Sequence, residues 1–191
     1  MESPRDPLAK LLVQRSYVRG DFVLASGRRS SDYFDCRLTT CFAEALPLIG
    51  RAFLDEFERA GVRPRSVGGL TSGSDPIAAA IALCSSHADR PIDLFSVRKD
   101  RKQHGTRKWI EGCPVSPVAV VDDVVTSGKS VIQAIERCRE EQLEVAQVVV
   151  LVDREEGGMA AIRAVASGIP VAAVFTRAQL EALRASERGE G

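Results

Sequence analysis

Short runs of branched apolar residues alternate along the chain with stretches whose apolar residues recur at helical spacing. From residue 43 onward this pattern predicts five strands, at 66–70, 92–97, 118–121, 145–152 and 171–175. The other stretches predict helices over 43–60, 77–87, 129–142, 157–167 and 177–187. Strands and helices that alternate in this way are typical of an α/β protein. We therefore expect a doubly wound, mostly parallel sheet with helices on both faces.

The first forty residues follow a different pattern. Apolar residues between 7 and 19 predict an amphipathic helix that Gly20 ends. Two short apolar runs, at 22–24 and at Tyr33 and Phe34, flank a polar turn and predict a hairpin. Because this hairpin precedes the alternating part, we expect it to form a small cap on the main sheet. Its two aromatic residues are either ordinary core residues or a flat wall for a planar ligand.

The stretch 117–130, PVAVVDDVVTSGKS, carries the strongest candidate chemistry. A strand run at 118–121 precedes two acids, Asp122 and Asp123, and a turn of small residues then leads into a helix. A helix start offers unpaired N–H groups and the positive end of the macrodipole. Glycine in the turn lets the backbone approach an anion closely, and the Thr and Ser hydroxyls add donors. This combination predicts a phosphate cradle.

The two acids indicate what accompanies the phosphate. Carboxylates repel a phosphate group, so Asp122 and Asp123 need another partner, such as ribose hydroxyls or a metal ion. A ligand with a phosphate at one end and a hydroxylated sugar beside it satisfies both halves of the stretch. The string at 128–130, GKS, looks like the end of a nucleotide P-loop, but that motif needs a glycine where this chain has Asp123.

Basic residues cluster between 98 and 108, against the single acid Asp100. The cations are Arg98, Lys99, Arg101, Lys102, Arg107 and Lys108, with His104 and Gly105 among them. One interpretation is a solvated loop, and the other is a mobile cationic flap that folds over a polyanion. The flap is favoured because this loop leaves the same sheet edge as the cradle, where doubly wound sheets bind ligands. Trp109 at its base is either a packed anchor or a hinge contact.

Composition narrows the classes of function. The 26 basic and 26 acidic residues balance and aromatics make up 5%, which argues against a general nucleic-acid-binding surface. Five cysteines without a Cys-x-x-Cys pair, and two histidines, argue against a zinc cluster and favour reduced thiols in a cytoplasmic protein. The N-terminus has no apolar signal core, and the apolar run at 148–152 is far too short to span a membrane. We expect neither a nucleic-acid partner nor a membrane.

The stretch 117–130 resembles the phosphoribosyl diphosphate signature of type I phosphoribosyltransferases. The resemblance implies that Asp122 and Asp123 meet the ribose hydroxyls and that the following turn binds the 5-phosphate. The binding residues carried over for that turn are Val124, Val125, Thr126, Ser127, Gly128, Lys129 and Ser130. It also implies one phosphoribosyltransferase domain over 1–191, with 1–42 contributing a hood and 43–185 the core sheet.

The spacing Lys99-x-x-Lys102-x-His104-Gly105 resembles the flexible catalytic loop of the orotate phosphoribosyltransferase family. The resemblance implies that Lys99, Lys102 and His104, together with Arg98, contact the leaving pyrophosphate. With the two acids, the first three form the expected catalytic set. It further implies a homodimer in which the loop at 98–108 reaches into the neighbouring subunit's site.

Two further segments match that family. The early Ser26-Gly27-Arg28 turn with Tyr33 and Phe34 matches the part that holds the pyrimidine. The segment at 153–157, DREEG, matches one whose arginine, here Arg154, meets the orotate carboxylate, and Thr126 is carried over as a second orotate contact. The implied reaction joins orotate to the ribose 5-phosphate of phosphoribosyl diphosphate, with Mg²⁺ held mainly through the substrate.

The chain departs from the family pattern at two positions, because Ala25 and Gly73 stand where many members have lysine. Two alternatives stay open. One is a phosphoribosyltransferase that acts on a purine base, against which the loop motif and Arg154 argue. The other is a non-catalytic regulator that keeps the fold and binds nucleic acid, against which the intact cationic loop and zero net charge argue.

Overall fold

A computed structural model of the chain describes residues 5–23, 29–100 and 109–189. The helices in these ranges are α1 Arg5–Ser16, α2 Arg37–Thr40, α3 Leu46–Arg59, α4 Asp75–Ser85, α5 Lys129–Glu140, α6 Gly158–Ala166 and α7 Arg177–Gly189. The strands are β1 Tyr17–Val23, β2 Arg29–Phe34, β3 Ser66–Leu70, β4 Asp93–Val97, β5 Ile110–Glu111, β6 Val118–Val125, β7 Val145–Asp153 and β8 Val171–Thr176. None of the helices described is long and apolar enough to cross a membrane.

Six strands form the main sheet, in the order β5-β4-β3-β6-β7-β8. Neighbouring strands are parallel except for β5, which lies at one end and runs antiparallel to β4. The strand order turns back between β3 and β6, and this reversal opens a crevice at their carboxyl ends. The predicted doubly wound, mostly parallel sheet is confirmed.

Apolar side chains pack against both faces of this sheet. Successive residues of β6 point to opposite sides, so that Ala119 and Val121 join one core cluster and Val118 and Val120 join the other. The first cluster includes residues from α1, α3, α4 and α7, and the second includes residues from α5 and α6. Both faces are therefore covered by helices, as predicted.

The N-terminal hairpin is present, but the helix before it is shorter than predicted. The helix expected over 7–19 ends at Ser16. Tyr17 begins β1 instead, where it pairs with Phe34 of β2, and their rings lie edge to face with centroids 5.0 Å apart. Gly20, the expected helix stop, lies inside β1. The hood role of this region stays a prediction.

Strand β6 extends beyond the run predicted at 118–121, because β7 continues beside it. Val124 pairs with Val152, and Val125 pairs with Asp153. The two acids therefore lie within the strand and not in the turn after it, which corrects the sequence-based expectation.

Residues 98–113 showed no apolar period, yet Ile110–Glu111 forms the edge strand β5, since it pairs with Ser96 and Val97 of β4. The long helix expected from residue 43 begins at Leu46. Apart from the added β5, these differences leave the order of the strands and helices predicted from residue 43 onward unchanged.

Candidate active site

Asp122 and Asp123, the acidic pair, lie near the carboxyl end of β6 and are only 6% and 9% exposed. Asp122 Oδ1 accepts the Asp123 N–H at 3.0 Å, and Asp123 Oδ1 accepts the Val124 N–H at 2.8 Å. Burial, followed by the charge of Asp123, raises the pKa of Asp122 to about 8, and burial also raises the pKa of Asp123. Two adjacent buried carboxyls with raised pKa values are typical of a functional site.

The turn after β3 lies directly against the acidic pair. A Cβ atom at Gly73 would lie 2.6 Å from Asp123 Oδ1 and 3.1 Å from Asp122 Oδ1. Glycine therefore lets the backbone approach both carboxylates, whereas any side chain would displace one of them. The Thr71–Ser72 peptide in this turn is cis. Sequence reasoning noted the missing lysine at position 73 but not this close approach, which only the tertiary structure brings about.

Residues 126–130, the phosphate cradle, form the turn from β6 into α5. Thr126 and Ser127 are exposed, whereas Gly128 is buried and has a φ of +80° that favours glycine. No described side chain caps the N-terminus of α5, so its first N–H groups can serve an anion. The cradle rests on α6, since Gly158 packs against the backbone of Thr126 and Gly128.

The basic segment begins directly after β4. Lys99 is exposed, and its charge is the smallest of the influences on the pKa of Asp122, where it opposes the rise that burial causes. Arg98 Nε donates to Glu111 Oε1 at 2.5 Å, an ion pair that the sequence did not predict. The other two predicted pyrophosphate contacts, Lys102 and His104, lie outside the described residues.

The two aromatic residues predicted to hold a pyrimidine differ in their environments. Phe34 is partly buried and packs against the core, which is the ordinary core interpretation. Tyr33 is 39% exposed, and its ring lies tilted against Phe22 with centroids 5.4 Å apart. Tyr33 is thus the more exposed of the two aromatic residues, while the turn at 26–28 and Ala25 fall outside the described residues.

Arg154 follows β7 at the same edge of the sheet as the cradle. Its backbone N–H donates to the Val125 carbonyl at 3.0 Å, which ties it to the end of β6. Its guanidinium pairs with Glu156 at 3.1 Å, which is the surface ion pair that was its alternative interpretation. Its role toward orotate stays a prediction.

Sequence reasoning missed a segment that follows β2. Arg37 donates from Nε and Nη2 to the two carboxylate oxygens of Asp35, both at 3.1 Å. Between them, Cys36 Sγ donates to the Asp123 carbonyl at 3.7 Å, and the charge of Arg37 slightly opposes the rise that burial causes in the pKa of Asp123. An acid and a base two residues apart give no periodic signal, so only the fold brings them to the acidic pair.

Among the residues that the structure covers, no three His, Cys, Asp or Glu side chains come together to hold a metal ion. The acidic pair offers two neighbouring carboxylates. Mg²⁺ is usually bound by one or two carboxylates together with substrate phosphates and waters. The donor set therefore fits a Mg²⁺ ion that a bound phosphate ligand helps to hold.

The chain closely resembles curated orotate phosphoribosyltransferases. It is 41% identical to the enzyme from Sorangium cellulosum over 181 residues, which cover 92% of each chain. It is 42% identical to the enzyme from Aquifex aeolicus over 181 residues, which cover 92% of this chain and 97% of that one. No family model matches the chain.

Solved structures agree with these relatives. The orotate phosphoribosyltransferase of Mycobacterium tuberculosis H37Rv, in complex with Fe(III) dicitrate, superposes with a TM-score of 0.81 at 39% identity, covering 93% of this chain and 98% of that one. A structure of that enzyme in complex with 5-phospho-α-D-ribosyl 1-diphosphate superposes with a TM-score of 0.77, covering 93% and 99%. An adenine phosphoribosyltransferase from Leishmania tarentolae, at 14% identity and a TM-score of 0.62, shares the fold alone.

Proposed function

The chain belongs to the orotate phosphoribosyltransferase family, and we propose that it works through the acidic pair, the phosphate cradle and Lys99. Its reaction transfers the ribose 5-phosphate of phosphoribosyl diphosphate to orotate, giving orotidine 5′-phosphate and pyrophosphate in pyrimidine synthesis. The observation that carries the site assignment is the placement of two buried carboxylates beside a helix start that no described side chain caps. These two features match a ligand with ribose hydroxyls and a 5-phosphate.

The sugar phosphate is proposed to bind across β6 and α5. Asp122 and Asp123 accept hydrogen bonds from the ribose hydroxyls, which favours their ionised forms. The residues from Thr126 to Ser130 bind the 5-phosphate through N–H groups and hydroxyls, with Val124 and Val125 contributing backbone. Lys129 and Ser130 are exposed at the first turn of α5, where both can reach an anion.

Cations are proposed to stabilise the leaving group. The bond from C1 to pyrophosphate breaks through an oxocarbenium-like state, so negative charge develops on the pyrophosphate. By resemblance, we assign this role to Lys99, Lys102, His104 and Arg98. Lys99→Ala should lower kcat by about a hundredfold and leave the KM for orotate within about twofold. A variant whose kcat falls and whose KM for orotate rises by the same factor would contradict a leaving-group role.

Orotate is proposed to lie between Tyr33 and Arg154, with Phe34 and Thr126 completing its site. The guanidinium fork of Arg154 suits a planar carboxylate because it can pair bidentately, and Glu156 holds the fork in place. The exposed ring of Tyr33 offers a flat face to the pyrimidine.

Mg²⁺ is the proposed cofactor, held mainly through the substrate. When bound, it neutralises charge on the pyrophosphate. The acidic pair orients the ribose hydroxyls beside that site. Activity should be lost when the metal is chelated and return when Mg²⁺ is added.

A homodimer that shares the loop at 98–108 is also proposed, from the resemblance of the loop. The variants Lys102→Ala and Asp123→Asn should each be nearly inactive, and mixing them under conditions that exchange subunits should restore about a quarter of the parent activity. No recovery would indicate that each site uses its own loop.

A cytoplasmic location is likewise proposed, and it is supported by the five cysteines, which are all free thiols.

A panel of bases tests the proposed function. The protein is incubated with phosphoribosyl diphosphate, Mg²⁺ and either orotate, uracil, adenine or hypoxanthine, and the loss of each base is followed by absorbance. Consumption of orotate alone supports the proposal. Turnover of a purine base, or equal turnover of uracil, would contradict the assignment of Arg154 as the group that recognises the carboxylate.

A further inference from the structure

Helix α5 contacts the chain on both sides of the segment 101–108. Gln133 Nε2 donates to the Lys99 carbonyl at 3.3 Å. Glu141 Oε1 accepts the Trp109 N–H at 3.2 Å, and the Arg137 guanidinium lies 3.6 Å from the centroid of the Trp109 ring. Gln133 and Arg137 lie four residues apart on one face of α5, and Glu141 follows the last residue of the helix, so the three residues form one stripe.

The main sheet also holds this part of the backbone, at Arg98 and Trp109. The Arg98 N–H donates to the Trp109 carbonyl at 2.9 Å and continues the β4–β5 ladder by one more pair. Arg98 also forms its ion pair with Glu111 across this ladder. The backbone next to Lys99 is therefore fixed by both β5 and α5.

The N-terminus of α5 is the phosphate cradle, so one helix connects the cradle to the start of the basic segment. We propose that Gln133, Arg137 and Glu141, the positioning stripe, hold Lys99 and Trp109, which flank the segment 101–108, in fixed positions beside α5. This inference rests on the proposed function, because the group that the stripe positions is the cation assigned to the leaving pyrophosphate. None of the three residues is itself assigned to contact substrate.

The physical reason for such a stripe is that a lysine on a loop has many accessible positions. Its ammonium group must lie close to the developing charge to stabilise it, and a displacement of about 1 Å can cost up to a hundredfold in rate. Hydrogen bonds to the backbone on either side remove that freedom without using the ammonium group. Arg137 is in turn held by an ion pair with Glu140, which keeps its guanidinium over the Trp109 ring.

Trp109 is the only tryptophan in the sequence, so its fluorescence reports directly on the stripe. The test variant combines Gln133→Met with Glu141→Met, because methionine keeps a similar length and removes the donor and the acceptor. Gln14→Met, at an exposed position on α1, is the matched control. Glu141→Gln keeps a carbonyl acceptor and should behave like the parent. If the combined variant fails to fold, Gln133→Met alone carries the test.

The combined variant should shift the emission of Trp109 and lower kcat by about tenfold, which corresponds to the loss of two hydrogen bonds of ordinary strength. The KM for orotate should stay within about twofold, and the melting temperature should match that of the control. If either the emission or kcat equals that of Gln14→Met, the proposal is overturned. A parent protein that does not consume orotate refutes the proposed function instead, and the emission then still decides whether the stripe holds Trp109.

Discussion

The substitution Asp122→Asn should stabilise the protein at alkaline pH while it damages the site. Burial and the neighbouring charge of Asp123 raise the pKa of Asp122 from an ordinary 3.8 to about 8. The native state therefore holds a proton that the unfolded state has released, and stability falls as the pH rises through this window. Asparagine carries no charge, and its Oδ1 can still accept the Asp123 N–H.

The magnitude follows from the width of the window. Each pH unit between the two pKa values costs about 1.36 kcal/mol of native-state stability. Between about pH 5 and pH 8 the advantage of the variant over the parent should therefore grow by about 4 kcal/mol. Below the ordinary pKa of 3.8 the two proteins should differ little, because Asp122 of the parent is then protonated in both the native and the unfolded state.

Urea denaturation of both proteins at about pH 5 and pH 8.5 measures this growth, provided that the slope of the transition is unchanged. If the unfolding free energies of the two proteins changed equally with pH, the Asp122 carboxyl would ionise in the native state as easily as in the unfolded chain. A variant that is less stable than the parent at the higher pH would show that the charge contributes to folding. Either result would refute the claim that burial of the ionised Asp122 carboxylate destabilises the native state.

Other substitutions test neighbouring parts of the account. Gly73→Ala places a methyl group against Asp123 Oδ1 and should lower kcat by about tenfold or more with a smaller effect on melting temperature, which kinetics and thermal unfolding compare. Arg154→Ala should raise the KM for orotate by about tenfold with little change in the KM for phosphoribosyl diphosphate, and equal changes would contradict its role. Thr176→Ala removes the hydroxyl that accepts the Gln179 N–H at the start of α7, but keeps the backbone N–H that donates to Gln179 Oε1, and should cost about 1 kcal/mol of unfolding free energy in urea, with activity retained.

The main sheet could be predicted because its strands are short runs of branched apolar residues, a local signal. The extent of β6 could not, because Asp122 and Asp123 are polar and stay in the strand only through pairing with β7, which is distant in sequence. The end of α1 was missed for a similar reason, since Tyr17 leaves the helix to pair with Phe34.

The candidate site shows the same division. The turn at 126–130 belongs to one continuous stretch with a recognisable composition, so its place between a strand and a helix could be predicted, and its binding of phosphate stays a prediction. The approach of Gly73 to the carboxylates and the Asp35–Arg37 pair beside Asp123 join segments far apart in the chain. Local patterns contain no information about such contacts.

The most direct test compares orotate consumption by the parent with that by a variant carrying both Asp122→Asn and Asp123→Asn. Phosphoribosyl diphosphate and Mg²⁺ are supplied at saturation, and orotate is followed by absorbance. The account predicts turnover by the parent and a loss on the order of a hundredfold or more in the variant, since two charge-assisted hydrogen bonds to ribose are removed while the fold persists. A folded variant that consumed orotate at the parent rate would contradict the claim that the acidic pair forms the sugar site.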